Sequence, residues 1–378
     1  MHALPRSNVS ALISRAAARR VLAAACMGMA WLSGGAWADT QITNVSYDVS
    51  REFYKDLNKA FITHWKKQTG ETLVVNQSHG GSSKQANSVI NGLEADVITM
   101  NQALDIDMVA EKGKQLPADW AKRLPDNASP TTSVTVFLVR KGNPQKIQDW
   151  SDLARPGIKP VIPNPKLTGN GRYSYLAAWG SVIKSGGTPA QARELVGKIF
   201  ANVPVFDGGG RAATTTFAQR QIGDVLVTFE SEVQSIVEEF GNNFEKVYPK
   251  RTVLAENPVS VVDKVVDKRG TRKVAEAYLQ FLWTTEAQEI AAKHNLRVRD
   301  PKVAARNAAE FPKLNTFTVD EVFGSWKKAH ADHFVDGGIY DQLLATKWSV
   351  WAFFQEPKTS STVKVDEVFG SWKKAHTD

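Results

Sequence analysis

Three turns rich in small residues, each set directly before a helical stretch, constrain this chain more than any other feature. They are His79-Gly80-Gly81-Ser82-Ser83 before the helix expected from Lys84 to Leu93, Pro163 to Gly171 before Tyr173 to Ser185, and Asp207-Gly208-Gly209-Gly210-Arg211 before a Thr-rich segment that opens a helix at Ala212. A helix leaves the N–H groups of its first turn unpaired and carries about half a positive charge there, and glycine lets a ligand approach the backbone closely. Any one such turn is explained by helix capping alone. Three in one chain point to the capture of an anion by helix N-termini.

Around these turns short β-like runs alternate with helical ones, the pattern of an α/β fold. Ile42 to Tyr47 reads as a strand, Glu52 to Gln68 as an amphipathic helix, Thr72 to Gln77 as a strand and Asp96 to Met100 as a third. With 378 residues, 42% of them hydrophobic and 23% charged, the chain is long enough for two compact lobes. The apolar runs Val134 to Arg140, closed by Lys141-Gly142-Asn143-Pro144, and Val259 to Val262, after Pro258, are expected to form paired crossings between those lobes.

The N-terminus reads as an export signal. Arg6, Arg15, Arg19 and Arg20 precede or meet the apolar stretch Val21 to Leu32, which is too short to span a bilayer, and Ala36-Trp37-Ala38 offers a cleavage site before Asp39. Without those four arginines the formal charge falls from +8 to +4, which removes most of the case for a nucleic-acid partner. Cys26, the one cysteine, would leave with the signal. The mature chain then has no disulfide and no thiol chemistry, which suits a bacterial periplasm.

Hydrolase, metalloprotease and nucleotide-binding signatures (G-x-S-x-G, H-E-x-x-H and G-x-x-x-x-G-K-[ST]) are absent. His330 and His333 are the one helix-spaced histidine pair and read as a solvated face, not a metal site; no metal and no cofactor are expected. An esterase acting through Ser82 or Thr168 would need a positioned base, for which His79 is the nearest histidine in sequence. Val319 to His330 recurs unchanged as Val365 to His376, a single duplication and not a repeat array.

Four stretches carry a family resemblance: Val45-Ser46-Tyr47-Asp48, Gln77 to Gln85, Phe137 to Pro144 and Tyr175-Leu176-Ala177-Ala178-Trp179-Gly180. From about Ile42 to Leu343 the chain resembles the periplasmic sulfate- and thiosulfate-binding proteins of ABC importers. The resemblance implies a type II periplasmic binding fold, two α/β lobes joined by crossover strands, with a dehydrated dianion in the cleft. It implies residues 1–38 as signal peptide, 39–141 and 258–343 as the first lobe with the C-terminal helices, 142–257 as the second lobe, and 344–378 as an atypical tail. Matched position by position, the family's ligand serine falls on Ser82, its serine-glycine-glycine run on Thr168, Gly169 and Asn170, a backbone donor on Gly210 and an acidic residue on Asp48. The family's tryptophan donor falls on Phe229, which has none. Arg172 and Arg211 follow two of the turns and are expected to brace them or to supply long-range attraction, without touching the ligand. The implied partners are a sulfate or thiosulfate anion and a membrane permease, with the protein acting as a monomer. Thr99 to Gln102 and Phe229 to Glu232 resemble the thiosulfate branch more closely.

Chemistry independent of the family favours sulfate over phosphate. Sulfate carries no proton at neutral pH, so donors alone satisfy it, whereas monohydrogen phosphate also needs an acceptor. A cleft lined only by donors is therefore expected to reject phosphate, and Asp48 to orient a neighbouring donor.

Overall fold

The computed structural model describes residues 40–345, so the expected signal segment and the second copy of the duplicated stretch lie outside the described residues. The described residues build two sheets. The first has the order β2-β1-β3-β9, from Leu73–Gly80, Thr40–Tyr47, Val97–Thr99 and Val259–Val261. β1 and β3 run parallel and β9 joins antiparallel to β3, with Ile98 opposite Ser260. Alternation sends neighbouring side chains to opposite faces. Thus Ile42 and Val97 enter one core with the helix Arg51–Thr69 (α1), while Val45 and Ile98 enter another with the helices Ser82–Ile90 (α2) and Ala103–Glu111 (α3).

The α1 helix shows how pattern becomes structure. Phe53, Leu57, Phe61 and Trp65 repeat at helical spacing and are buried, and the helix stops at Gly70, whose φ of 78° is the left-handed conformation that glycine tolerates.

The second sheet is built on β4 (Thr131–Arg140), nine of whose ten residues are buried, and its Val134 to Val139 part reads as a β-branched and apolar run because both faces are covered. The main path of this sheet is β11-β8-β4-β6-β5, formed by Thr316–Phe317, Thr252–Asn257, β4, Val225–Phe229 and Pro160–Val161. β7 (Phe244–Val247) and β10 (Arg297–Val298) also pair with β4. Phe137 and Val139 face a core shared with the helices Gly169–Ile183 (α4) and Pro189–Asn202 (α5), and Val134, Val136 and Leu138 face the other side.

The two crossings therefore need correction. Val134 to Arg140 does not pair with Val259 to Val262. It pairs with β6, β7 and β8 inside the second sheet, while β9 pairs with β3 in the first. The adjacent strands at the passage between sheets are Thr131–Val134 and Leu254–Asn257, with Thr131 opposite Asn257. The chain has entered the second sheet by Thr131, about ten residues before the boundary expected after Lys141.

The C-terminal segment docks on the second core as well. Phe317, Val319, Phe323, Trp326, Phe334 and Tyr340 are all buried there, so the first copy of the duplicated stretch is part of the fold. His333 is also buried, at 4% exposure, and bonds through Nδ1 to the Tyr175 hydroxyl at 2.9 Å; the solvated face expected for this histidine is wrong, and burial pushes its pKa down to about 4.

Candidate functional site

Four helices begin at one small cavity between the sheets. α2 starts at Ser82 after Gly81, α4 starts at Gly169 after Thr168, a short helix (α6, Gly210–Thr214) starts after Gly209, and a fourth (α7, Glu230–Phe240) starts after Phe229. The cavity is lined by Asp48, Val49, Gly81, Ser82, Asn101, Thr168, Gly169, Asn170, Gly209, Gly210, Phe229 and Glu232. All seven residues expected to meet the ligand are among them. The cavity is small, with room on the scale of a single water-sized sphere.

Local chemistry explains how the turns are set. The Thr168 hydroxyl accepts the Gly171 N–H at 2.9 Å and donates to the Asn164 carbonyl at 3.0 Å, a side-chain cap on α4. Gly171 has to be glycine, because a Cβ there would lie 2.3 Å from the Pro163 carbonyl oxygen. The Ser82 hydroxyl donates to Met100 Sδ at 3.6 Å and accepts the Asn101 N–H at 3.4 Å, while His79 Nε2 bonds to Gln77 Oε1 at 2.5 Å. Phe229 offers only a ring, which packs edge-on against Tyr173 at 5.6 Å.

Neither arginine lines the cavity. Arg172 is 4% exposed and reaches across to the other lobe, donating from Nη1 to Ser83 Oγ at 2.9 Å and lying 3.8 Å from Asp105, which is fully buried. Its Nη2 donates to the Lys166 carbonyl at 3.3 Å, so one guanidinium ties both turns together. Burial lowers its pKa, with Asp105 acting in the opposite sense. Arg211 is exposed and pairs with Glu239 at 3.1 Å.

A lining of donors alone, expected from the sequence, is also corrected. Asp48 and Glu232 bring two carboxyl groups to the cavity. Asp48 accepts the Val49 N–H at 3.0 Å, and burial raises its pKa against the pull of that bond and of Arg211 and Arg51. Glu232 was missed. It is 7% exposed, 3.4 Å from Asn170 Nδ2, and pushed up to about 8 by burial and by Asp48, with Thr228, Arg211 and Asn170 pulling the other way. At neutral pH it is mostly a neutral acid that offers an O–H. Its local sequence signal is a strand end followed by two acidic residues in a helical first turn, which ordinarily means a dipole complement.

This sets a pH dependence with a definite sign. In the unfolded chain Glu232 ionises near its usual 4.5 and in the native one near 8, so between those values the native state holds a proton the unfolded state has lost. Stability from this group is thus lost as pH rises through that window. Glu232→Gln lacks the effect. In thermal unfolding of ligand-free protein, its Tm should match the parent's near pH 4 and exceed it increasingly up to pH 8; parallel curves would mean that Glu232 is ionised throughout.

The family of bacterial extracellular solute-binding proteins matches residues 48–297. The chain is 57% identical over 315 residues to a thiosulfate-binding protein of Pseudomonas aeruginosa, covering 83% of this chain and 95% of that one. It is 53% identical over 307 residues to a sulfate-binding protein of Escherichia coli, covering 81% and 93%. Among solved structures, the sulfate-binding protein SubI from Mycobacterium tuberculosis superposes with a TM-score of 0.71 at 30% identity, covering 78% of this chain and 100% of that one. Two α/β lobes of the type II periplasmic binding fold, a cleft of helix N-termini and relatives matched over nearly their whole length agree: the chain belongs to the bacterial extracellular solute-binding proteins, beside their sulfate- and thiosulfate-binding members.

Proposed function

We propose that this protein is exported to the periplasm, its signal cleaved after Ala38, and that it captures sulfate or thiosulfate in the cleft as a monomer and hands the anion to the membrane permease of an ABC importer. The ligand contacts are Ser82, Thr168, Gly169, Asn170 and Gly210, with Asp48 and Phe229 shaping the wall. The observation that carries the reading is that four helix N-termini meet at one small cavity with no lysine, arginine or histidine in its lining. Neutral dipoles stabilise a dianion there without a salt bridge. The relatives' ligands support the same choice.

A thiosulfate preference is favoured by Phe229, since an apolar ring can face a terminal sulfur without stranding a strong acceptor. The esterase reading loses ground because His79 turns to Gln77 while the Ser82 hydroxyl turns to Met100 and the Asn101 N–H.

Isothermal titration of ligand-free protein with sulfate, thiosulfate, phosphate and molybdate tests the proposal. Sulfate and thiosulfate should bind one to one. The phosphate arm tests whether the Asp48 and Glu232 carboxyl groups of the lining accept the phosphate proton, which a cleft of donors alone could not do. No heat from either sulfur anion, or turnover of a chromogenic sulfate ester, would overturn it.

A further inference from the structure

Asn101 is a buried side chain of the cavity with an unpartnered polar atom. It follows β3 in the first lobe, is 6% exposed, and its Oδ1 has no hydrogen-bond partner. The amide is pressed against the other lobe: a Cβ on Gly169 would lie 2.2 Å from Oδ1 and 2.8 Å from Nδ2. The polar side chains around it have bonds of their own, although Gln102 Oε1, like Asn101 Oδ1, is left without a partner. Ser82 bonds to Met100, Thr168 caps α4, Asn170 reaches Glu232, and Gln102, next in sequence, donates from Nε2 to Asp105 at 2.8 Å.

A buried amide oxygen left unpaired within its own chain calls for a partner from outside it or for the opposite orientation of the amide. The oxygen and nitrogen of an amide are alike in shape, so half a turn about its bond exchanges an acceptor for a two-proton donor. An acceptor aimed at an anion would repel it, whereas the –NH₂ completes it. Phe229 brings no donor to the same wall.

We propose that Asn101 is a ligand-contacting residue whose amide N–H donates to an oxygen of the bound oxyanion. The role rests on the anion-binding reading above. It gives the first lobe a side-chain amide contact that is assembled only when Gly169 of the second lobe closes against it, so the residue couples ligand recognition to closure.

The test is titration of purified protein carrying Asn101→Ala or Asn101→Asp with sulfate and thiosulfate, beside thermal unfolding without ligand. Asn101→Ala should weaken both anions about tenfold, the effect of a lost charge-assisted donor, with a ligand-free Tm unchanged or raised. Asn101→Asp keeps the shape, and titrated at alkaline pH, where its carboxyl is ionised, it supplies no donor and should bind more weakly than Asn101→Ala. Affinity of Asn101→Ala within twofold of the parent, wild-type affinity in Asn101→Asp, or a clear fall in the ligand-free Tm of Asn101→Ala would overturn the role. If the parent protein gives no heat with either anion, the anion-binding reading fails first and this role with it.

Discussion

Replacing Gly169 by alanine should weaken anion binding by about a hundredfold while leaving the Tm of the ligand-free protein almost unchanged. Gly169 is the first residue of α4 and its backbone lies outside the left-handed region, so alanine fits the local conformation. The added methyl meets only what stands across the cleft. Its three nearest atoms all belong to Asn101, at 2.2 Å for Oδ1 and 2.8 Å for Cγ and Nδ2. Rotating the amide moves Oδ1 and Nδ2 but not Cγ, so the lobes must part or Asn101 must swing out of the cavity. Overpacking of this kind costs ~1–3 kcal/mol, and every 1.4 kcal/mol is tenfold in affinity. Where the ligand-free lobes stand apart, as closure over the anion requires, the cost falls on the closed state alone. Titration together with ligand-free thermal unfolding checks this, and unchanged affinity would show that the bound lobes stand farther apart than they do here.

What was legible in the sequence was local chemistry. The periodicity of Phe53, Leu57, Phe61 and Trp65 and the stop at Gly70 define α1 without reference to anything distant. The glycine-rich turns likewise announce helix starts, and a helix start has one chemical use at a cavity wall. Family resemblance then told which residues of those turns share a site, something no single turn could reveal.

The parts that were not legible depend on partners far away in sequence. Ser83 and Arg172 are 89 residues apart, and nothing at either position signals the other. Asn101 and Glu232 each sit just past a strand end, where one polar residue has no period to read. The fourth helix start, after Phe229, lacked a glycine-rich turn. The crossings failed for a different reason: the β-branched and apolar run Val134 to Val139 is covered on both faces whichever sheet it joins, so composition identified β4 as a strand but not its neighbours. His330 and His333 showed helix-like spacing, yet spacing gives a shared face without saying whether that face meets water or Tyr175.

Thr168→Val tests whether the cap on α4 also serves the ligand. Valine keeps the shape and removes the hydroxyl, which leaves the buried Gly171 N–H without its acceptor. The turn itself survives in part, because the backbone N–H groups of Leu167 and Thr168 still donate to the Asn164 carbonyl at 3.1 and 3.0 Å. Loss of a side-chain cap costs about 0.5–2 kcal/mol and an unpaired buried N–H ~1–3 kcal/mol, two descriptions of overlapping damage and not separate sums. That damage lands on the first turn of α4, whose Gly169 and Asn170 line the cavity. Thr168→Val should therefore lower the Tm by roughly 2–4 °C and weaken sulfate and thiosulfate binding by about tenfold to a hundredfold. Thr168→Ser retains the hydroxyl and should recover both properties. The informative failure is a variant whose Tm falls while its affinity holds: the hydroxyl would then be a cap only, and the anion would be held by backbone N–H groups that tolerate its loss.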